Sequence, residues 1–260
     1  MYRETLTPAD LDGLGLPCTD LSNRGTDNRD RVRAPLGVVT HTPSVTFAKR
    51  VQQGFIADHR RPPTPAELDN AAANRFDAAR YQPNYLIGTT GRIFVLDLDH
   101  QRASHSGGLA LECPAGNVYA AGTWRDWASP SDGSGWRRHG RPGHVVYDYW
   151  DATFPGAASP LDVFPWKGSP NDAIGIDLLP DPDTGIYLPV QRAAYVALVK
   201  LLAAKHGFPL DERHVTTHTL ASPCERGTVL RKGQIVGVHW DPDVRVWPHG
   251  AVVREAAAGR

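Results

Sequence analysis

The spacing of apolar and polar positions divides this chain into short β-rich runs, two helical stretches and one long region with no period. Leu36-Gly37-Val38-Val39-Thr40 predicts a strand, and it stops at His41-Thr42-Pro43 because Pro43 has no N–H to give to a ladder. A strand ending in a polar loop is a good mount for a ligand. Thr64-Pro65-Ala66-Glu67 predicts a helix start: Thr64 caps, Pro65 suits the first helical position and Glu67 completes a capping box. That helix is expected to run through Ala71, Ala72 and Phe76 towards Arg80. Tyr85-Leu86-Ile87-Gly88 and Arg92-Ile93-Phe94-Val95-Leu96 predict two strands, with Thr89-Thr90-Gly91 as the hairpin turn between them.

Further along, Ala173-Ile174-Gly175-Ile176-Asp177-Leu178-Leu179 is largely apolar and predicts a central strand. Ala194, Leu198, Leu201 and Leu202 mark one buried face of a helix from Pro189 to His206, stopped by Gly207 and Pro209. His214-Val215-Thr216-Thr217 predicts a last core strand leading into His218. A hairpin is expected from Thr228 to Val238, turning at Lys232-Gly233. Strands alternating with helices point to an α/β fold, a single domain with a central mixed β-sheet flanked by helices.

Three stretches fall outside this pattern. Residues 1–34 are polar without a period and read as an arm, residues 35–250 as the domain and residues 251–260 as a tail. Within the domain, residues 120–167 form a long Trp/Gly/Pro-rich insertion holding Trp124, Trp127, Trp136, Trp150 and Trp166. Disordered segments are poor in aromatics, so these Trp are expected to pack the insertion against the body.

Composition adds mainly exclusions. Apolar residues make up 41% and charged residues 22% of the 260, enough for an ordinary core. Lys+Arg and Asp+Glu are both 28, so bulk charge asks for no nucleic acid and no membrane surface. Cys18, Cys113 and Cys224 form no CxxC pair and do not fix the compartment. Met1-Tyr2-Arg3-Glu4-Thr5 lacks the basic start and apolar run of a secretory signal, and no stretch approaches the ~18 apolar residues of a membrane span. A soluble chain is expected, cytoplasmic as made.

The candidate chemistry lies in the histidines at strand ends. Histidine is the commonest metal ligand, and His41 and His218 each follow a β-rich run that would fix their direction. A catalytic zinc takes three protein ligands and keeps one position open. Asp241, in Trp240-Asp241-Pro242, is the candidate third ligand and Cys224 its rival.

The order of segments resembles the type-2 N-acetylmuramoyl-L-alanine amidase family, which also contains the peptidoglycan recognition proteins and phage T7 lysozyme. The matching pieces are Val38-Val39-Thr40-His41-Thr42, the run from Asn84 to Ile93, Arg102-Ala103-Ser104-His105-Ser106-Gly107, the run from Asn171 to Leu178, Thr217-His218, and Asp241-Pro242 ahead of Trp247. The resemblance implies one Zn2+ per chain held by His41, His218 and Asp241. It implies Asp177 as general base, where the family more often has Glu, and His239 as the donor to the oxyanion. Arg226 is an alternative donor. Tyr85, His105, Asn171 and Arg226 are expected to bind substrate. Many members carry two consecutive histidines at the first ligand; Thr40 stands in one of those places here, and His41 is taken as the ligand. The implied substrate is peptidoglycan or a muropeptide, acted on by a monomer. A non-catalytic peptidoglycan-binding module of the same fold is the alternative.

Overall fold

The computed structural model of the protein describes residues 4–22, 31, 33–77, 83–99, 149, 152–157, 163–166, 172–221, 229–231, 234–237, 241–242 and 246–258. Among them, β1 (Cys18–Asp20), β2 (Val38–His41), β3 (Tyr85–Ile87), β4 (Ile93–Val95), β5 (Ile174–Leu178) and β6 (Val215–Thr217) form one sheet. Its order is β1-β4-β3-β5-β2-β6, and neighbours are parallel except for the β3–β4 hairpin. The helices are α1 (Pro8–Asp12), α2 (Val45–His59), α3 (Pro65–Asp77), α4 (Pro189–His206), α5 (His218–Ala221) and α6 (His249–Ala258). The expected late hairpin is a separate antiparallel ribbon of β7 (Val229–Arg231) and β8 (Gln234–Gly237). This is the mixed α/β architecture the periodicity predicts.

The central strands are buried on both faces, which is why β5 reads as an apolar run rather than an alternation. On one face Val38, Tyr85, Ile87, Ile174, Ile176 and Leu178 pack with Tyr195, Leu198 and Leu202 of α4 and Val252 and Val253 of α6. The other face is covered in two patches. Over Leu86 and Phe94 lie Ala48 and Val51 of α2 and Leu68, Ala72 and Phe76 of α3. Over Val39 lie Phe154, Phe164 and Trp166, with Trp166 stacked on Phe164 at 5.1 Å. Trp166 thus packs its segment onto the body; Trp124, Trp127, Trp136 and Trp150 lie outside the described residues.

Local signals act as expected. The Thr64 N–H and hydroxyl donate to Glu67 Oε2, and the Glu67 N–H donates to Thr64 Oγ1 at 3.3 Å, closing the capping box of α3. Helix α4 ends at Gly207, whose left-handed φ of 77° places its N–H on the Ala203 carbonyl. In the β3–β4 turn Gly91 has φ 78°, and a Cβ there would meet Val190 Cγ2 at 2.8 Å. The Asp69 carboxylate holds the same turn, accepting from the N–H and hydroxyl groups of both Thr89 and Thr90.

Three features differ from expectation. The first residues are no loose arm: Leu6 and Leu11 enter the main core, and β1 lies parallel to β4 with Cys18 opposite Ile93. Helix α2 has no clear signature in the periodicity, because Thr46, Gln52, Gln53 and Gly54 dilute a stripe that buries only Ala48 and Val51. Residues 251–258 are helical, with Val252, Val253 and Ala256 buried.

Asp99 joins the N-terminal segment to the core. Its fully buried carboxylate accepts from the Leu6 N–H at 2.7 Å and from the Tyr85 hydroxyl, and lies 2.9 Å from His206 Nε2. The Asp99 N–H donates to Thr5 Oγ1 at 3.0 Å, and Arg31 Nε donates to the Asp99 carbonyl at 2.8 Å. Asp99→Ala strands several buried donors and is expected to cost about 3–5 kcal/mol in urea denaturation. Tyr85→Phe removes one hydrogen bond and is expected to cost about 1 kcal/mol.

His249 gives stability a pH dependence. Its Nε2 donates to the Val215 carbonyl at 2.8 Å, and burial pushes its pKa from 6.5 down to about 4. Between those values the unfolded chain takes up the proton and the folded chain does not, so stability falls as pH falls. The loss reaches about 3 kcal/mol at the lower end. His249→Gln does not titrate, and the difference between the two proteins' unfolding free energies from pH 7 to pH 4 is expected to show that slope.

Candidate metal centre

The strands β5, β2 and β6 are adjacent and parallel, so their carboxyl ends share one edge of the sheet. Sites in open α/β sheets form beyond such ends. His41 is the last residue of β2, and His218 follows β6 directly as the first residue of α5. Asp241 comes from the chain between β8 and α6 and joins them there. The alternation within β2 determines which of its residues can point to this site. Thr40 turns to the α4 face, its Oγ1 2.6 Å from the Tyr195 hydroxyl, and His41 therefore lies on the opposite face with Val39. Thr40 points away from the cluster, and of these two neighbours His41 is the one that faces it.

One ligand atom from each of His41, His218 and Asp241 lies within 4.8 Å of the other two, and all three residues are buried. His218 Nδ1 is 3.1 Å and His41 Nδ1 3.7 Å from Asp241 Oδ2, and the imidazole centroids are 4.4 Å apart at 63°. Asp241 Oδ1 is occupied separately, accepting the Thr42 N–H at 2.6 Å. Burial by itself would push the Asp241 carboxyl up. The His218 and His41 rings override it, by hydrogen bonding and charge, and hold the group well below the usual carboxylate range.

The donor set suits zinc. Zinc–ligand distances of about 2.0–2.2 Å place tetrahedral ligand atoms roughly 3.3–3.6 Å apart. The two separations at Asp241 Oδ2 bracket that range, and imidazole nitrogen and carboxylate oxygen are ligand types zinc takes.

Asp177 stands beside this group. It is the register partner of His41 across β5 and β2, so both side chains leave the same face of the sheet, and Asp177 is 7% exposed. Tyr85, expected to bind substrate, lies away from this group. It is fully buried on the α4 face, opposite the histidines, with its hydroxyl on Asp99; burial first, then the Asp99 charge, pushes its phenol well above the ordinary value. A residue so enclosed cannot line a substrate groove at the cluster. His105, Asn171, Arg226 and His239 lie outside the described residues, as does the rival ligand Cys224.

Two further residues take part that the sequence pattern did not single out. Each histidine is followed by a threonine, His41-Thr42 and His218-Thr219, and both threonines bond to Asp241. That repeated pair was the available signal.

No family model matches the chain, and no curated protein matches it. Among solved structures it is similar to one described as a crystal structure of a selenomethionine AmpD derivative, at 17% identity and a TM-score of 0.36. That similarity covers 91% of this chain and 98% of the other. No helix among the described residues is long and apolar enough to cross a membrane.

Proposed function

We propose that the chain is a zinc-dependent N-acetylmuramoyl-L-alanine amidase that hydrolyses the amide between N-acetylmuramic acid and L-alanine in peptidoglycan or muropeptides. The observation that carries the reading is the meeting of His41, His218 and Asp241 at one sheet edge, with Asp177 on the same face one strand away. The order of the motifs, which resembles that amidase family, supplies the substrate.

In this reading His41, His218 and Asp241 hold one zinc ion. When bound, it supplies polarisation of the scissile carbonyl and brings the acidity of a water close to neutrality. Asp177 takes the proton of the attacking water at its carboxylate and returns one to the alanine nitrogen as the C–N bond breaks. Asp reaches one methylene less far than Glu, so a water relays the proton or the substrate sits closer to β5. His239 donates to the oxyanion, and His105, Asn171 and Arg226 bind the sugar and stem peptide.

The test is product identity. Zinc-loaded full-length chain is incubated with a muramyl peptide and the products are weighed by mass spectrometry. A free stem peptide beginning at L-alanine, with intact N-acetylmuramic acid, is expected; no cleavage, or cleavage at another bond, contradicts the reading. The short Asp177 side chain also favours a second reading, a module that binds peptidoglycan without cutting it. Muropeptide binding that survives chelation, in a chain without stoichiometric zinc, would select that one.

A further inference from the structure

The third candidate ligand is not on a strand or helix, so something other than secondary structure must hold it against the histidines. The contacts at Thr219 do this. The Thr219 N–H donates to the Asp241 carbonyl at 3.1 Å, and the Asp241 N–H donates to Thr219 Oγ1 at 2.7 Å. This reciprocal pair closes directly behind the His218–Asp241 contact of 3.1 Å. Thr219 is fully buried, so water cannot replace either bond at low cost. Its backbone is fixed in α5, which starts at the end of β6. The position of Asp241 is thereby referred to the same strand that carries His218.

We propose that Thr219 is a positioning residue for the metal centre: its hydroxyl and N–H clasp the Asp241 backbone and aim Oδ2 between the two histidines, and so set the affinity of the site for zinc. The inference rests on the metal site proposed above but not on the identity of the substrate. Thr42 completes the arrangement from the β2 side. Its N–H binds Asp241 Oδ1 and its hydroxyl donates to the Leu178 carbonyl at 3.0 Å, so the second carboxylate oxygen is held away from the histidines. Outer hydrogen bonds that orient metal ligands are typically worth 10–100-fold in affinity.

The experiment is a competition titration of zinc against a chromophoric chelator, on full-length wild type, Thr219→Val and Thr219→Ser, with thermal melts of each metal-free protein. Thr219→Val keeps the shape and removes the acceptor, and about a 10–100-fold loss of zinc affinity is expected. Thr219→Ser keeps the hydroxyl and is expected within about threefold of wild type. In an Asp241→Ala background Thr219→Val is expected to cause no further loss, because the clasp acts only through that carboxylate. A merely structural threonine would lower the melting temperature of the metal-free protein and leave affinity unchanged. Wild-type affinity in Thr219→Val, or a loss in Thr219→Ser as large as in Thr219→Val, overturns the proposal. If Thr219→Val does not fold, Thr219→Ala takes its place beside Thr219→Ser. About a 10–100-fold loss in Thr219→Ala with Thr219→Ser near wild type supports the clasp, and wild-type affinity in Thr219→Ala or an equal loss in Thr219→Ser overturns it. Absence of zinc binding in the wild type would instead retire the metal site itself, so the two failures are distinguishable.

Discussion

Asp177→Asn is expected to slow release of stem peptide from a muramyl peptide by about 10²–10⁴-fold, the usual worth of a general base, while leaving zinc content unchanged. Asn is close to isosteric with Asp, so β5 keeps its place between β3 and β2 and the Asp177 position remains opposite His41. What changes is the capacity to take a proton. The loss should fall on kcat at least as much as on kcat/KM, because a base acts in the transition state and not in binding. Asp177→Glu provides the complementary test. If the missing methylene is bridged by a water, the longer side chain reaches the proton directly, and activity is expected to be retained or raised. A rate in Asp177→Asn equal to wild type would remove Asp177 from the mechanism.

The second large effect concerns the metal. Asp241→Ala takes away one of three candidate ligands together with the acceptor of the Thr42 N–H. Removing an orienting group costs 10–100-fold, so loss of a ligand itself is expected to cost on the order of 10³-fold or more in zinc affinity. His218→Ala is expected to act similarly, since the imidazole is fully buried and no solvent group can take its place. Both variants should then be inactive towards the muramyl peptide at any zinc concentration the wild type saturates.

The parts of this arrangement legible in the sequence are those with a short-range cause. The capping box at Thr64, the Gly91 turn and the stop at Gly207 each depend on a few neighbouring residues, and each forms where its residues predict. The helix from Pro189 to His206 was readable because the middle of its buried face, from Ala194 to Ala203, is apolar. Strand β1 was not, because two half-buried residues and one exposed residue carry no period, and the strand forms by pairing to β4 far along the chain. Helix α2 was obscured by polar residues around a narrow buried stripe.

The site divides in the same way. His41 and His218 could be singled out because they end strands, and strand ends fix direction. Which face of β2 His41 takes depends on the sheet itself, because period two turns Thr40 to Tyr195 and His41 to the other side. Tyr85 was misplaced for the same reason: a strand residue beside the site in sequence order can face the opposite side, and period two sends it to Asp99. The clasp between Thr219 and Asp241 joins residues 22 apart in sequence, a distance across which local patterns carry no information.

The most direct test of the metal centre is elemental analysis of protein purified without an affinity metal, for wild type beside His41→Ala, His218→Ala and Asp241→Ala. About one zinc per wild-type chain, lost in all three variants, is the expected result. A wild type that holds no zinc even after incubation with the ion would contradict the metal site and the amidase reading with it. Zinc retained in Asp241→Ala would contradict the ligand set and pass the third position to Cys224.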